Sequence, residues 1–134
     1  MAENLSIFDI SGRAMSAQLV RLNTTASNLA NAGTVSGSEG TAFRSMKPVF
    51  RTVMGEAGKA TVQVDRIDSS KSAPVKRYEP DHPLADKDGN VWEAAVDSAA
   101  EMVEMLETSR QYQNNVQVLA TAKGLISETL RLGQ

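Results

Sequence analysis

Residues 101–132 read EMVEMLETSRQYQNNVQVLATAKGLISETLRL. Within this run Met102, Met105, Ser109, Tyr112, Val116, Leu119, Ile126 and Leu130 follow one another at alternating steps of three and four, with Lys123 in the one interrupted place. That spacing draws a seam along one side of an α-helix, the pattern by which helices pack as coiled coils. The other end of the chain keeps the same rhythm through Leu5, Phe8, Gly12, Met15, Leu19, Leu22, Ala26 and Leu29. Two seams separated by a polar insert predict an α+β chain. Its long N- and C-terminal helices pack as an antiparallel coiled-coil pair, and a small irregular β module lies between them.

The N-terminal helix is expected over roughly residues 5–31, within a first segment of 1–33. Ser6 or Asp9 can cap its start. Asn28, Asn31 and Gly33 can end it, because Asn and Gly tolerate the left-handed backbone that closes a helix. The C-terminal helix is expected over roughly 94–131, within a last segment of 94–134. Glu101, Glu104 and Glu107 near its start and Lys123 and Arg131 near its end complement the helix dipole.

Between them, residues 34–93 read as a β-rich module. Ala32 to Thr41 is small, polar and glycine-rich, hence a loop. Val49, Phe50 and Val53 suggest one strand, the near-alternation of Val62, Val64 and Ile67 a second, and Val75, Arg77 and Tyr78 a third. Asp88-Gly89 is a tight-turn signal before Val91 and Trp92.

Composition narrows the function. Of 134 residues only one is Trp, two are Tyr and three are Phe, so little material exists for a large core. The formal net charge of −2, with no Lys/Arg cluster, gives no field to attract nucleic acid. The first helix offers only Arg13 and Arg21 as cations, a weak attraction to an anionic membrane surface. Cysteine is absent, which excludes disulfides, thiol nucleophiles and thiolate metal sites. The start of the chain lacks the basic region and unbroken apolar stretch of a cleavable signal peptide.

No catalytic, cofactor or metal constellation emerges, and no small-molecule substrate is implied. Asp86, Asp88 and Asn90 imitate half a calcium loop, but the glycine stands at the fourth place and Asp97 occupies the place of the bidentate Glu. Gly55 to Ala60 imitates a phosphate loop without its first glycine or its magnesium-binding hydroxyl. His82 is the only histidine and has no Cys or second His with which to share a metal.

A helix pair buries one stripe on each member and leaves the shoulders wet. Ala14, Val20, Val103, Leu106, Val118 and Ala120 lie on those shoulders, so neighbouring chains are expected to cover them. The small seam residues Gly12, Ala26 and Ser109 permit close approach.

Three stretches carry a family resemblance. They are Asn28-Leu29-Ala30-Asn31 with Thr34; Tyr78-Glu79-Pro80 through His82-Pro83-Leu84-Ala85-Asp86 to Asp88-Gly89; and Met102-Val103-Glu104-Met105 with Ser109-Arg110, Tyr112-Gln113 and Asn115. By these the chain resembles the axial rod and hook proteins of the bacterial flagellum, and among them the C-type branch of the proximal rod. Asn90 after the turn, Glu93-Ala94-Ala95 before Val96-Asp97, and Asn114 depart from the family pattern.

The resemblance implies a non-enzymatic structural subunit without cofactor. It implies export unfolded through the flagellar type III apparatus, without cleavage, and polymerisation with copies of itself and related rod proteins into the drive shaft across the periplasm, next to the membrane ring. The polar signature residues Asn28, Asn31, Thr34, Gln113 and Asn115 then have two readings. They end helices and fill local bonds, or their amides bridge to other segments and neighbouring subunits. A cytosolic coiled-coil adaptor dimer is the competing expectation for the seams themselves.

Overall fold

The computed structural model describes residues 6–55 and 58–133. Two helices frame the chain: α1 spans Ile7–Asn31 and α2 spans Ser98–Leu132. Among the described residues between them lie five strands: β1 (Val35–Ser36), β2 (Met46–Met54), β3 (Ala60–Ser69), β4 (Val75–Tyr78) and β5 (Asn90–Glu93). The chain is α+β, with the helices in contact and a small antiparallel sheet module inserted between them.

Each helix is started by its own side chains. At α1 the Ser6 hydroxyl accepts from the Asp9 N–H while the Asp9 carboxylate accepts from the Ser6 N–H, a capping box. At α2 the Asp97 carboxylate accepts from the N–H groups of Ala99 and Ala100. Helix α1 closes with Ala32 as cap, and Gly33 just beyond takes φ of 79°. At 35 residues α2 is about 52 Å long, by the usual rise of ~1.5 Å per residue.

The strands form two separate sheets. β2 and β3 make a long hairpin, from Met46↔Ser69 to Met54↔Ala60, with a register shift between Val49 and Phe50. The tip closes through the Gly55 N–H to the Lys59 carbonyl at 2.7 Å. This is the segment that imitates a phosphate loop, and Glu56 and Ala57 of it lie outside the described residues. The second sheet runs β1-β5-β4, with β5 paired antiparallel on both sides. Two elements differ from expectation. The loop after α1 contains β1, which the composition hides, and α2 begins four residues later than the sequence pattern suggests, because Asp97 caps it.

The core is thin. Among the described residues the buried apolar ones are Ala17, Ala42, Val91 and Ala94. Val91, the centre of β5, is fully enclosed. The solvent-accessible surface is 9132 Å². A compact monomer of 14.4 kDa exposes roughly 6,800 Å². The excess reflects an open architecture whose long helices stand clear of a compact body.

Candidate functional site

The site is the helix pair, and its orientation follows from the contacts along it. Asn28 meets Glu101, Arg21 meets Glu104, and Gln18 meets Gln111. Farther along, Ile7 shares an apolar notch of about 270 Å³ with Gln117, Val118, Thr121, Ala122 and Leu125. Rising numbers on one helix meet falling numbers on the other, so the pair is antiparallel.

The fully buried positions of the two helices are polar except for Ala17. Ser11, Thr25 and Asn28 of α1 and Glu101 and Thr108 of α2 are buried. Gln18 and Asn115 are half-buried. Ser11, Gln18 and Thr25 are seven apart, as are Glu101, Thr108 and Asn115. Each is one residue before a member of the expected apolar seam (Gly12, Leu19, Ala26; Met102, Ser109, Val116). Gln18 Nε2 donates to Gln111 Oε1 at 2.8 Å. Arg21 lies 3.6 Å from Glu104 and 4.7 Å from the centre of the Phe50 ring, so it ties both helices to the hairpin.

The expected seam is therefore divided within this chain. Met15, Leu22 and Leu29 of α1 and Met105, Ser109, Tyr112 and Leu119 of α2 are half-buried. Phe8, Gly12, Leu19, Ala26, Met102, Val116, Ile126 and Leu130 are exposed, and Leu5 lies outside the described residues. Of the shoulder positions, Val103 is 63% exposed, Leu106 69% and Val118 47%. With Ile7, Leu125 and Leu132 also exposed, both helices present apolar stripes to solvent.

The signature residues have local roles that the structure makes explicit. Asn28, 1% exposed, donates to the Met46 carbonyl and accepts from the Met46 N–H, each at 2.8 Å. Its Nδ2 also donates to Glu101 Oε2 at 3.2 Å. One amide thus joins the end of α1, the start of β2 and the first turn of α2. Asn31 donates to the Ser27 carbonyl. The Thr34 hydroxyl donates to the Asn31 carbonyl, and the Thr34 carbonyl accepts from the Ala94 N–H at 2.9 Å. Gln113 is exposed. The glutamine that bonds across the helices is Gln111, which sequence reasoning passed over along with Gln18 and Thr108, while Glu101 was read only as a partner of the helix dipole. The signal was present as a second, polar row at seven-residue spacing.

The sequence features that imitate chemistry resolve into turns. Asp86 Oδ1 accepts from the N–H groups of Asp88 and Asn90, and the Gly89 N–H donates to the Asp86 carbonyl. His82 Nδ1 accepts from the Leu84 N–H at 3.0 Å. Among the described residues no group of three or more His, Cys, Asp or Glu is placed to hold a metal ion, and no helix is long and apolar enough to cross a membrane. A cleft of about 410 Å³ is an open trough between β3 and α1 lined by Arg13, Ser16, Ala17, Val20, Val62, Gln63 and Val64.

Comparison with known proteins agrees with the placement of these segments. The family described as "Flagella basal body rod protein" matches residues 8–36. That described as "Flagellar basal body rod FlgEFG protein C-terminal" matches residues 87–132. The chain is 46% identical over 132 residues to the flagellar basal-body rod protein FlgC of Salmonella typhimurium, covering 97% of this chain and 98% of that protein. It is 45% identical, with the same coverage, to the FlgC protein of Yersinia enterocolitica. To that of Aquifex aeolicus it is 33% identical over 130 residues, covering 96% of each.

Proposed function

The chain belongs to the flagellar basal-body rod protein family, and from that premise we propose that it is a non-catalytic structural subunit of the proximal rod. It polymerises with copies of itself and with related rod proteins, chiefly through α1 and α2, to form part of the drive shaft across the periplasm. The observation that carries this reading is the outward apolar surface of both helices, set beside a core of four small or medium apolar residues among those described. Each large apolar side chain that a neighbour covers contributes roughly 1.5–3 kcal/mol to association. Contacts of this kind join unlike faces, and unlike faces generate open helical assemblies rather than closed dimers.

Export unfolded through the flagellar type III apparatus fits the same features. A thin core and an absence of disulfides leave little to undo before passage through a narrow channel. The membrane ring and the export apparatus are then the partners met on the way.

The test is Val103→Asp with Leu106→Asp, expressed in cells lacking their own copy of this gene. Both side chains are exposed, so the isolated chain is expected to keep its wild-type circular dichroism. Swimming and the recovery of rods from membranes are expected to be lost. Normal rods from this variant would overturn the role given to α2. A wild-type chain that forms a stable, discrete dimer and does not restore swimming would favour the cytosolic adaptor instead.

A further inference from the structure

Resting on the rod reading, we propose that the polar row between α1 and α2 is a specificity device for assembly: it fixes the register and rotation of the pair while contributing little to its strength. The exposed part of the apolar seam is thereby kept for neighbouring subunits instead of being consumed within one chain.

The argument starts from what the row is made of. Gln18 meets Gln111 and Asn28 meets Glu101 across the pair, and Ser11, Thr25 and Thr108 are buried polar positions on the same two helices, where an apolar seam would hold leucine and valine. Such a row is weak. Gln18 Oε1 and the Thr108 hydroxyl are enclosed without a hydrogen-bond partner, and an enclosed polar atom without a partner subtracts from stability. It is also directional. Gln18–Gln111 and Asn28–Glu101 are met only in one alignment, and a slip of a single turn breaks both.

The competing arrangement is specific. Turning each helix by one residue would bring Gly12, Leu19 and Ala26 of α1 and Met102 and Val116 of α2 inward and bury the exposed part of the apolar seam inside a self-sufficient pair. Asn28 prevents this on α1, because its two bonds to Met46 anchor that helix face to the hairpin. Its third bond, to Glu101, transmits the anchor to α2.

Two variants of the full chain test the proposal. The first is apolar: Gln18→Leu, Gln111→Leu and Thr108→Val. The second keeps a polar cross-helix pair: Gln18→Glu with Gln111→Lys. Helicity and sedimentation of the purified chain are measured, together with swimming and rod recovery in cells lacking their own copy. The apolar variant is expected to be more helical than wild type, to self-associate and to lose rod assembly. The polar variant is expected to assemble. Normal assembly by the apolar variant would overturn the specificity role, and unchanged helicity would overturn the claim that the row is weak. Loss of assembly in both variants would reduce the row to ordinary packing and also overturn the proposal. Failure of the wild-type chain to restore swimming would count against the rod reading itself.

Discussion

Asn28 and Met46 are bonded as two neighbouring strand residues would be, with a side-chain amide standing in for a peptide. The amide donates to the Met46 carbonyl and accepts from the Met46 N–H, both at 2.8 Å. A helix therefore continues the β ladder at the end where β2 begins, and the same amide reaches Glu101 on the other helix. The junction of helices and hairpin is held by one side chain.

Replacing that side chain leaves Met46 and Glu101 without partners. Asn28→Ala is expected to destabilise the chain by roughly 2–4 kcal/mol, since two backbone groups and a buried carboxylate each lose a bond. Urea unfolding monitored by the single tryptophan, Trp92, measures it. Asn28→Asp places a second carboxylate beside Glu101 and removes the donor, so it is expected to unfold at lower urea than Asn28→Ala at neutral pH.

Two glycines with positive φ separate backbone strain from steric conflict. Gly89 has φ of 78°, and a Cβ there would lie 2.9 Å from Tyr78 Cε2 and 3.0 Å from Pro80 Cβ. Gly33 has φ of 79° with open space around it. Gly33→Ala is expected to cost about 1 kcal/mol, and Gly89→Ala about 2–3 kcal/mol. Paired denaturation curves check the order, and equal effects would contradict the contact with Tyr78 and Pro80.

The capping box predicts a pH dependence at the start of α1. The Ser6 N–H, then the Ser6 hydroxyl and the Arg13 charge, hold the Asp9 carboxyl below its ordinary value. A carboxyl whose pKa is lower in the folded chain stabilises it above the unfolded pKa. That contribution is lost as pH falls through the unfolded and then the folded value. Fraying of the first turn of α1 should therefore increase on acidification below about pH 4. Amide exchange at Asp9 and Ile10 would reveal it, and Asp9→Asn should abolish the pH response.

Arg21 links three elements, through Glu104 and the Phe50 ring. Arg21→Ala is expected to loosen the hairpin from the helices by about 1 kcal/mol, most of it from lost packing and cation–π attraction and little from the partly exposed ion pair. Arg21→Met should recover the packing share. Faster exchange of β2 amides in the alanine variant alone is the expected signature.

The isolated chain should be less helical than the assembled one. An α-helix in water draws most of its stability from the face it buries. In α2 that face is narrow and its fully buried residues, Glu101 and Thr108, are polar, while Leu106, Leu125 and Leu130 are exposed. Circular dichroism across a concentration series, paired with sedimentation, is expected to show partial helicity in a monomer. Full helicity in a cooperative dimer would contradict it.

Local chemistry made much of this molecule legible in advance. Ser6 and Asp9 cap α1 through atoms within three residues of themselves, whereas Asp97, an equally local cap, starts α2 four residues later than the apolar pattern suggests. Asp86 and Gly89 close their turn within five residues. The spacing of apolar residues at the two ends announced two long helices, because periodicity is a property of each helix alone. Which side of each helix turns inward is not such a property. The sequence holds two heptad rows on each helix, one apolar and one polar, a single residue apart. Burying the apolar row is the better solution for an isolated pair. Tertiary structure turned the polar row inward and left part of the apolar seam exposed, because Asn28 finds Met46 eighteen residues away and Glu101 seventy-three residues away, and those bonds set the rotation of both helices. The helices follow from the sequence by itself; the surface they leave for their neighbours was decided only when the hairpin docked.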